Sequence, residues 1–222
     1  MTKIDKNTIE FLRQLAENNN KEWFDNNRSQ YIAAKNNFEA FVQELIDGVI
    51  EFEPILKGLE AKSCIYRINR DIRFSNDKSP YKTNFGALIM KGGRKNFFKY
   101  CGYYLHIEPD NCLLAGGAYI PPSDWLAAIR EKISEQPEEF LKIINCAEFK
   151  KYFGGIEGEK LKKAPKGFDP EHKYIELLKY KSYFVQIQIP DKKIIESDYL
   201  KYVLNVFKTM KSLHEFLDLD TI

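Results

Sequence analysis

The chain has 222 residues, 44% of them hydrophobic and 14% aromatic, and a formal net charge of +2. A chain of this length buries roughly 70% of its unfolded surface, which is enough for one sizeable core and makes one compact domain the default. A net charge so close to zero implies nothing by itself, so what matters is where the charge sits.

The first helix is expected from Asn7, with Glu10 three residues on as a capping-box-like start and Ile9, Leu12, Leu15 and Ala16 at helical spacing. Asn18-Asn19-Asn20 ends it. Phe24, Tyr31, Phe38, Leu45 and Phe52 then fall seven apart, predicting a long amphipathic helix over about 21–52, with Asn26-Asn27 as the place for a break and Pro54 as the stop.

The next stretch, Ile65–Lys82, organises the chain. It gathers Arg67, Arg70, Arg73, Lys78 and Lys82 against Asp71 and Asp77. Residues 62–99 carry ten Lys and Arg against two Asp, a local +8, which leaves −6 for the rest of the +2 chain. Read as a strand, period-two alternation places Arg70 on one face with Tyr66, Ile68, Ile72 and Phe74. A guanidinium there needs a carboxylate, carbonyls or an anionic ligand, so either the strand bends near Asn69–Asp71 or Arg70 has a dedicated partner. Ser75–Pro80 is turn chemistry, which folds Lys78, Tyr81 and Lys82 back towards the arginines.

Strands are expected at Phe85–Lys91, Lys99–Glu108 and Cys112–Ile120, separated by turns at Gly92-Gly93 and Pro109–Asn111. With the basic stretch they make residues 65–120 a meander of about four strands. Gly116-Gly117 inside a strand marks either a bulge or a close approach by backbone or ligand. Beyond Pro121-Pro122, Ser123 caps a helix holding Trp125, Leu126, Ile129 and Ile133, and a short helix follows near Pro137–Asn145. Residues 154–170 read as loop with a second basic cluster, Lys160, Lys162, Lys163 and Lys166. A helix over 171–180, a strand over Ser182–Ile189 and a last helix from about Ser197 complete the chain. The class is α+β: a central antiparallel sheet of about four to six strands, flanked by the long N-terminal helix and the C-terminal helices, within one domain over 1–222.

No run approaches the ~18 apolar residues of a membrane span, and the N-terminal residues lack an apolar signal region, so a cytoplasmic protein without a membrane partner is expected. Cys64, Cys101, Cys112 and Cys146 are far apart and read as reduced core thiols. His106 shares a strand face with Tyr104 and Glu108. H-x-E sets two possible ligands about 7 Å apart, but no third ligand is visible, so no metal is assigned. His106 and Tyr81 are the candidates for proton transfer. His172 and His214 read as structural or exposed. There is no nucleophile elbow, P-loop or dinucleotide fingerprint, and no cofactor is indicated.

Arginine suits bidentate binding of phosphate or carboxylate. The candidate ligand-binding set is therefore Arg67, Arg70, Asp71, Arg73, Lys78, Tyr81 and Lys82, with Asp71 orienting one guanidinium. The opposing reading is that Arg70 and Asp71 only pin the sheet to the helices. The function expected is binding of an anionic, phosphate-containing small molecule, extending to an enzyme that acts on it. The alternatives are a single-stranded nucleic-acid-binding module, for which Tyr66, Phe74, Tyr81, Phe97, Phe98 and Tyr100 interleave the basic residues, and a protein–protein adaptor.

The same stretch resembles the signature of the domain-of-unknown-function family DUF2461, R-x-x-R-D-x-R-F-x-x-[DN]-K-x-x-Y. Here it is carried by Arg67, Arg70, Asp71, Arg73, Phe74, Asp77, Lys78 and Tyr81 without departure. Asn-Asn-Asn-Lys-Glu-Trp-Phe at 18–24, Gly-Tyr-Tyr-Leu-His at 102–106 and Lys-Ala-Pro-Lys-Gly-Phe at 163–168 extend the resemblance over nearly the full length. It implies a bacterial, single-domain family and places the site at the signature, but it implies no mechanism.

Overall fold

A computed structural model describes residues 2–218, so the outermost ends of the expected 1–222 domain lie outside the described residues. The chain opens with α1 (Lys6–Glu17), α2 (Lys21–Asn26) and α3 (Arg28–Ile50). The start of α1 is two residues earlier than the capping box suggested: Asp5 is the N-cap, and the Thr8 N–H donates to its carbonyl. The predicted 21–52 helix is divided at Asn27, and Asn20 caps the first piece by accepting from the Trp23 N–H at 2.9 Å. A 3₁₀ turn at Pro54–Leu56 and the single turn α4 (Ala61–Cys64) lead to the sheet.

The sheet has four antiparallel strands in the order β1 (Phe85–Ile89), β2 (Gly102–Ile107), β3 (Cys112–Ala118), β4 (Tyr183–Ile189). Between β3 and β4 the chain makes α5 (Ser123–Glu135), α6 (Pro137–Asn145), α7 (Ala147–Tyr152) and α8 (Ile175–Leu178). After β4 come α9 (Asp191–Ile194) and α10 (Tyr199–Leu217). Ser123 begins α5 but does not cap it, since Pro122 occupies the cap position, and the helix expected over 171–180 is only the one turn of α8.

One sheet face is the core. Ile89, Tyr103, Gly116 and Val185 form one cross-strand row on it, and Ala87, Leu105, Leu114 and Ile187 form another. The helices α3 and α10 cover this face, with Phe38 stacked on Phe85 at 5.3 Å and Phe207 against Tyr103 at 5.1 Å. Each such fully buried side chain contributes about 1.5–3 kcal/mol relative to leaving it exposed. Among the described residues no helix is long and apolar enough to cross a membrane. Cys64, Cys101 and Cys112 are buried free thiols as expected, but Cys146 is exposed.

The Ile65–Lys82 stretch is not a strand. It touches β1 through the isolated bridge Ile65–Ala87 and then forms a long loop whose two limbs meet at a second bridge, Asn69–Tyr81. The Arg70 N–H donates to Pro80 O and the Lys82 N–H to Ile68 O. The reason lies in its side chains. Asp71 accepts from the Arg73 N–H, Asp77 accepts from both the N–H and the hydroxyl of Ser79, and Lys78 Nζ donates to Ile72 O. These local bonds satisfy the backbone without a neighbouring strand, and Pro80 has no N–H to offer a ladder. Phe74, expected on an apolar strand face, is 96% exposed.

Candidate functional site

The other sheet face is open. By register its rows are Gly86, His106 and Leu113; Leu88, Tyr104, Ala115 and Gln186; and Gly102, Gly117 and Phe184. Small residues occupy much of this floor, and a cavity of about 550 Å³ lies over it. Its walls are aromatic: Tyr66, Phe97, Tyr100, Tyr104, Tyr119 and Phe184. Its polar groups are few: Lys82, Asn84, His106, Gln186 and the Tyr hydroxyls. An apolar concavity of this size with a few convergent polar groups is the ordinary form of a small-molecule site.

The predicted ligand-binding residues divide into two groups. Arg70, Asp71, Arg73 and Lys78 serve the loop itself. Arg70 pairs with Asp77 and donates to Ser79 O at 3.2 Å and Ser75 Oγ at 3.3 Å. Arg73 grips Asp71 with two nitrogens at 2.9 and 2.7 Å, so Asp71 does orient a guanidinium, but on the loop surface and away from the cavity lining. Hydrogen bonds from the Ser79 hydroxyl and N–H, with Arg70 beside it, hold the Asp77 carboxyl down at about 2. Tyr81 is buried, stacked on Phe24 at 3.9 Å, with its backbone pinned on both sides by Asn19 at 2.9 and 3.1 Å. Tyr81 and His106, the two proton-transfer candidates, are not brought together in the cavity; His106 lines it and Tyr81 does not.

Arg67 and Lys82 belong to the second group. Lys82 lines the cavity with its ammonium 5.2 Å from the Tyr66 ring centroid. Burial pushes its pKa down, and the charges of Arg67 and Arg94 push it further in the same direction. Arg94 lies 5.9 Å from the same Tyr66 ring, held by the carbonyls of Lys62 and Ser63 at 3.2 and 2.9 Å. Lys82 is thus the cation that lines the cavity, Arg67 and Arg94 lie close enough for their charges to act on it, and among the described residues it has no carboxylate partner.

His106 anchors the other polar centre. Its Nε2 lies 3.2 Å from Glu108 Oε2, and its Nδ1 lies 2.9 Å from the Tyr104 hydroxyl and 3.3 Å from Asn84 Nδ2. A carboxylate only accepts, so Nε2 carries a proton, and in the neutral imidazole that leaves Nδ1 to accept from Tyr104. Glu108 is steadied by Thr83 and by Asn111, the latter at 2.7 Å. Burial raises the Glu108 carboxyl, but bonds from Thr83, Asn111 and His106 outweigh it and leave the pKa lowered. Burial, reinforced by Tyr66 and Glu108, pushes the Tyr104 phenol up to about 12.

The glycines explain how this face stays open. The paired register runs through Gly116 and Gly117 without a slip, so there is no bulge. A Cβ on Gly116 would meet Met210 Sδ at 2.5 Å and His214 Nε2 at 2.9 Å, so this position admits α10 to the core face. Gly117, at φ 123°, lines the cavity, and a Cβ there would meet Tyr183 O at 2.4 Å. A Cβ on Gly86 would fall 2.9 Å from the Tyr104 hydroxyl, so glycine leaves that hydroxyl room beside His106. Tyr104 and Glu108 were legible as sharing a face with His106, and Tyr66 as one of the aromatics interleaving the basic residues, but Asn84 and Gln186 carried no signal in the sequence.

No curated protein and no solved structure matches the chain. A family model does match, over residues 7–216, taking in the loop, the sheet and both covering helices, and the chain accordingly belongs to the family described as conserved hypothetical protein (DUF2461).

Proposed function

We propose that the cavity on the open sheet face binds a small organic anion, a phosphate-bearing molecule with a flat ring, such as a nucleotide. The observation that carries this reading is Lys82: a half-buried ammonium in an aromatic cavity, with the charges of Arg67 and Arg94 acting on it and, among the described residues, no carboxylate to neutralise it. Placing three cations together is unfavourable unless an anion joins them. The tyrosine and phenylalanine walls offer stacking surface to a ring whose anionic group lies at Lys82. The anion site is thus drawn away from Arg70, Arg73 and Lys78, which the loop occupies, and onto Arg67, Lys82 and Arg94.

Thermal-shift measurements with nucleoside phosphates, sugar phosphates and inorganic phosphate test this. A nucleotide at ~100 times its dissociation constant stabilises the fold by about 2.7 kcal/mol. Lys82→Met abolishes that shift while leaving the melting temperature of the free protein nearly unchanged. A flat response to every anion, or an undiminished shift in Lys82→Met, overturns the reading. Binding of a single-stranded oligonucleotide that weakens steeply with salt would favour a nucleic-acid module instead, with the exposed Phe74 and Phe98 as stacking surfaces.

A further inference from the structure

We propose that Tyr104, His106 and Glu108 form a proton relay opening into the cavity, with Tyr104 as the group that takes a proton from, or returns one to, the bound anion. The inference rests on the cavity being the ligand site and adds a reaction class to it: proton transfer at a weakly acidic O–H or carbonyl-activated C–H of the ligand.

The geometry is directional. Strand alternation sets Tyr104 and His106 on one face of β2, with Glu108 just past its end on the same side, and they touch in sequence, Tyr104 Oη to His106 Nδ1 at 2.9 Å and His106 Nε2 to Glu108 at 3.2 Å. His106 and Glu108 side chains are only 15% and 24% exposed, so water competes weakly for these bonds. Tyr104 and His106 both line the cavity. Glu108 fixes the tautomer that leaves Nδ1 free to accept, which makes it a positioning residue. When a substrate X–H gives its proton to the Tyr104 oxygen, the phenolic proton passes to Nδ1. The products are X⁻ and an imidazolium held against the Glu108 carboxylate. The reverse transfer restores the neutral relay, and no oxidant or reductant is consumed. A phenol raised to about 12 carries almost no phenolate at neutral pH, so it reacts as a base only if a neighbour accepts its proton as it does so. The titratable group facing Tyr104 from a neighbouring segment is Tyr66, with ring centroids 6.4 Å apart, and Lys82 lines the same cavity.

Benzenesulfonyl fluoride tests the relay without a known substrate. The Tyr104 oxygen attacks sulfur, the O–S bond forms, the S–F bond breaks, fluoride leaves and the phenolic proton goes to His106. Peptide mass spectrometry is expected to find Tyr104 labelled on the order of a hundredfold faster than exposed Tyr119, although burial alone would make Tyr104 the slower of the two. His106→Gln, which keeps a donor towards Glu108 but has no base, removes that advantage, and Glu108→Gln reduces it. Nitrogen NMR of the neutral imidazole is expected to show its proton on Nε2. Tyr104 left unlabelled while Tyr119 reacts, or labelled equally in His106→Gln, overturns the relay. If the variants do not fold, the Tyr104-to-Tyr119 ratio in the unaltered protein decides alone. The reagent is uncharged, so labelling of Tyr104 persists in Lys82→Met even if anion binding fails, which separates the two readings.

Discussion

His214 sits on α10 with its ring 4.4 Å from that of Tyr103, and its Nε2 has no hydrogen-bond partner among the described residues. Burial pushes its pKa down to about 3, with the Lys211 charge acting in the same direction. The folded protein therefore keeps His214 neutral, while the unfolded chain takes up a proton as pH falls below about 6.5. Between those values the unfolded state binds more protons, so stability drops by about 1.4 kcal/mol for each unit by which the pH is lowered. Denaturation in urea at pH 6.5 and pH 5 is expected to differ by about 2 kcal/mol from this residue, and His214→Met flattens that difference. An unchanged slope in the variant would show that the imidazole is not held neutral. Gly116 faces the same ring, and Gly116→Ala inserts a Cβ against Met210 and His214, at an expected cost of about 1–3 kcal/mol in chemical denaturation.

At the scale of elements, the signature loop and the sheet make different demands on basic residues. Arg70 ties the two limbs of the loop by bonds to Asp77, Ser75 and Ser79. Arg70→Ala is expected to expose residues 70–80 to limited proteolysis, with little change at sites elsewhere. Lys82→Met leaves that cleavage pattern as it is and affects only anion binding. If Arg70→Ala leaves the loop as resistant as before, the ion pair does not hold it. The helix break at Asn27 has a similar local origin. Asn20 caps α2, and Asn27 Nδ2 donates back to Trp23 O at 2.9 Å, so the chain stops and restarts there. Asn20→Ala is expected to lower stability by about 1 kcal/mol through the lost cap.

For the whole molecule, the division of the sheet into a core face and an open face governs what can bind. Ala115 lies on the floor of the cavity, between Tyr104 and Gln186 in the cross-strand row. Ala115→Phe fills the cavity without entering the core. The expected outcome is loss of the nucleotide-induced thermal shift with a retained circular dichroism spectrum. Retained binding in that variant would place the anion elsewhere, with the exposed loop arginines the next place to look. The helices α3 and α10 pack on the core face, so substitutions on the open face are expected to separate binding from folding, whereas substitutions on the other face do not.

Much of this was written in local pattern. The heptad spacing of α3, the turns around β2, the strand before Pro190 and the family signature follow from period, proline and glycine, which act over a few residues. The common face of Tyr104, His106 and Glu108 also follows from alternation alone. Three features did not. The strand read into Ile65–Lys82 failed because Asp71, Asp77 and Ser79 satisfy the backbone in place, a competition that apolar alternation does not register. The strand at residues 183–189 was expected, but its place beside β3 was not, since the pairing spans some sixty-five intervening residues that no periodicity covers. The split among the basic residues is likewise tertiary. Charge and spacing treat Arg70, Arg73 and Lys82 alike, and only the folded chain shows that Arg70 and Arg73 already hold carboxylates while Lys82, among the described residues, faces a cavity without one.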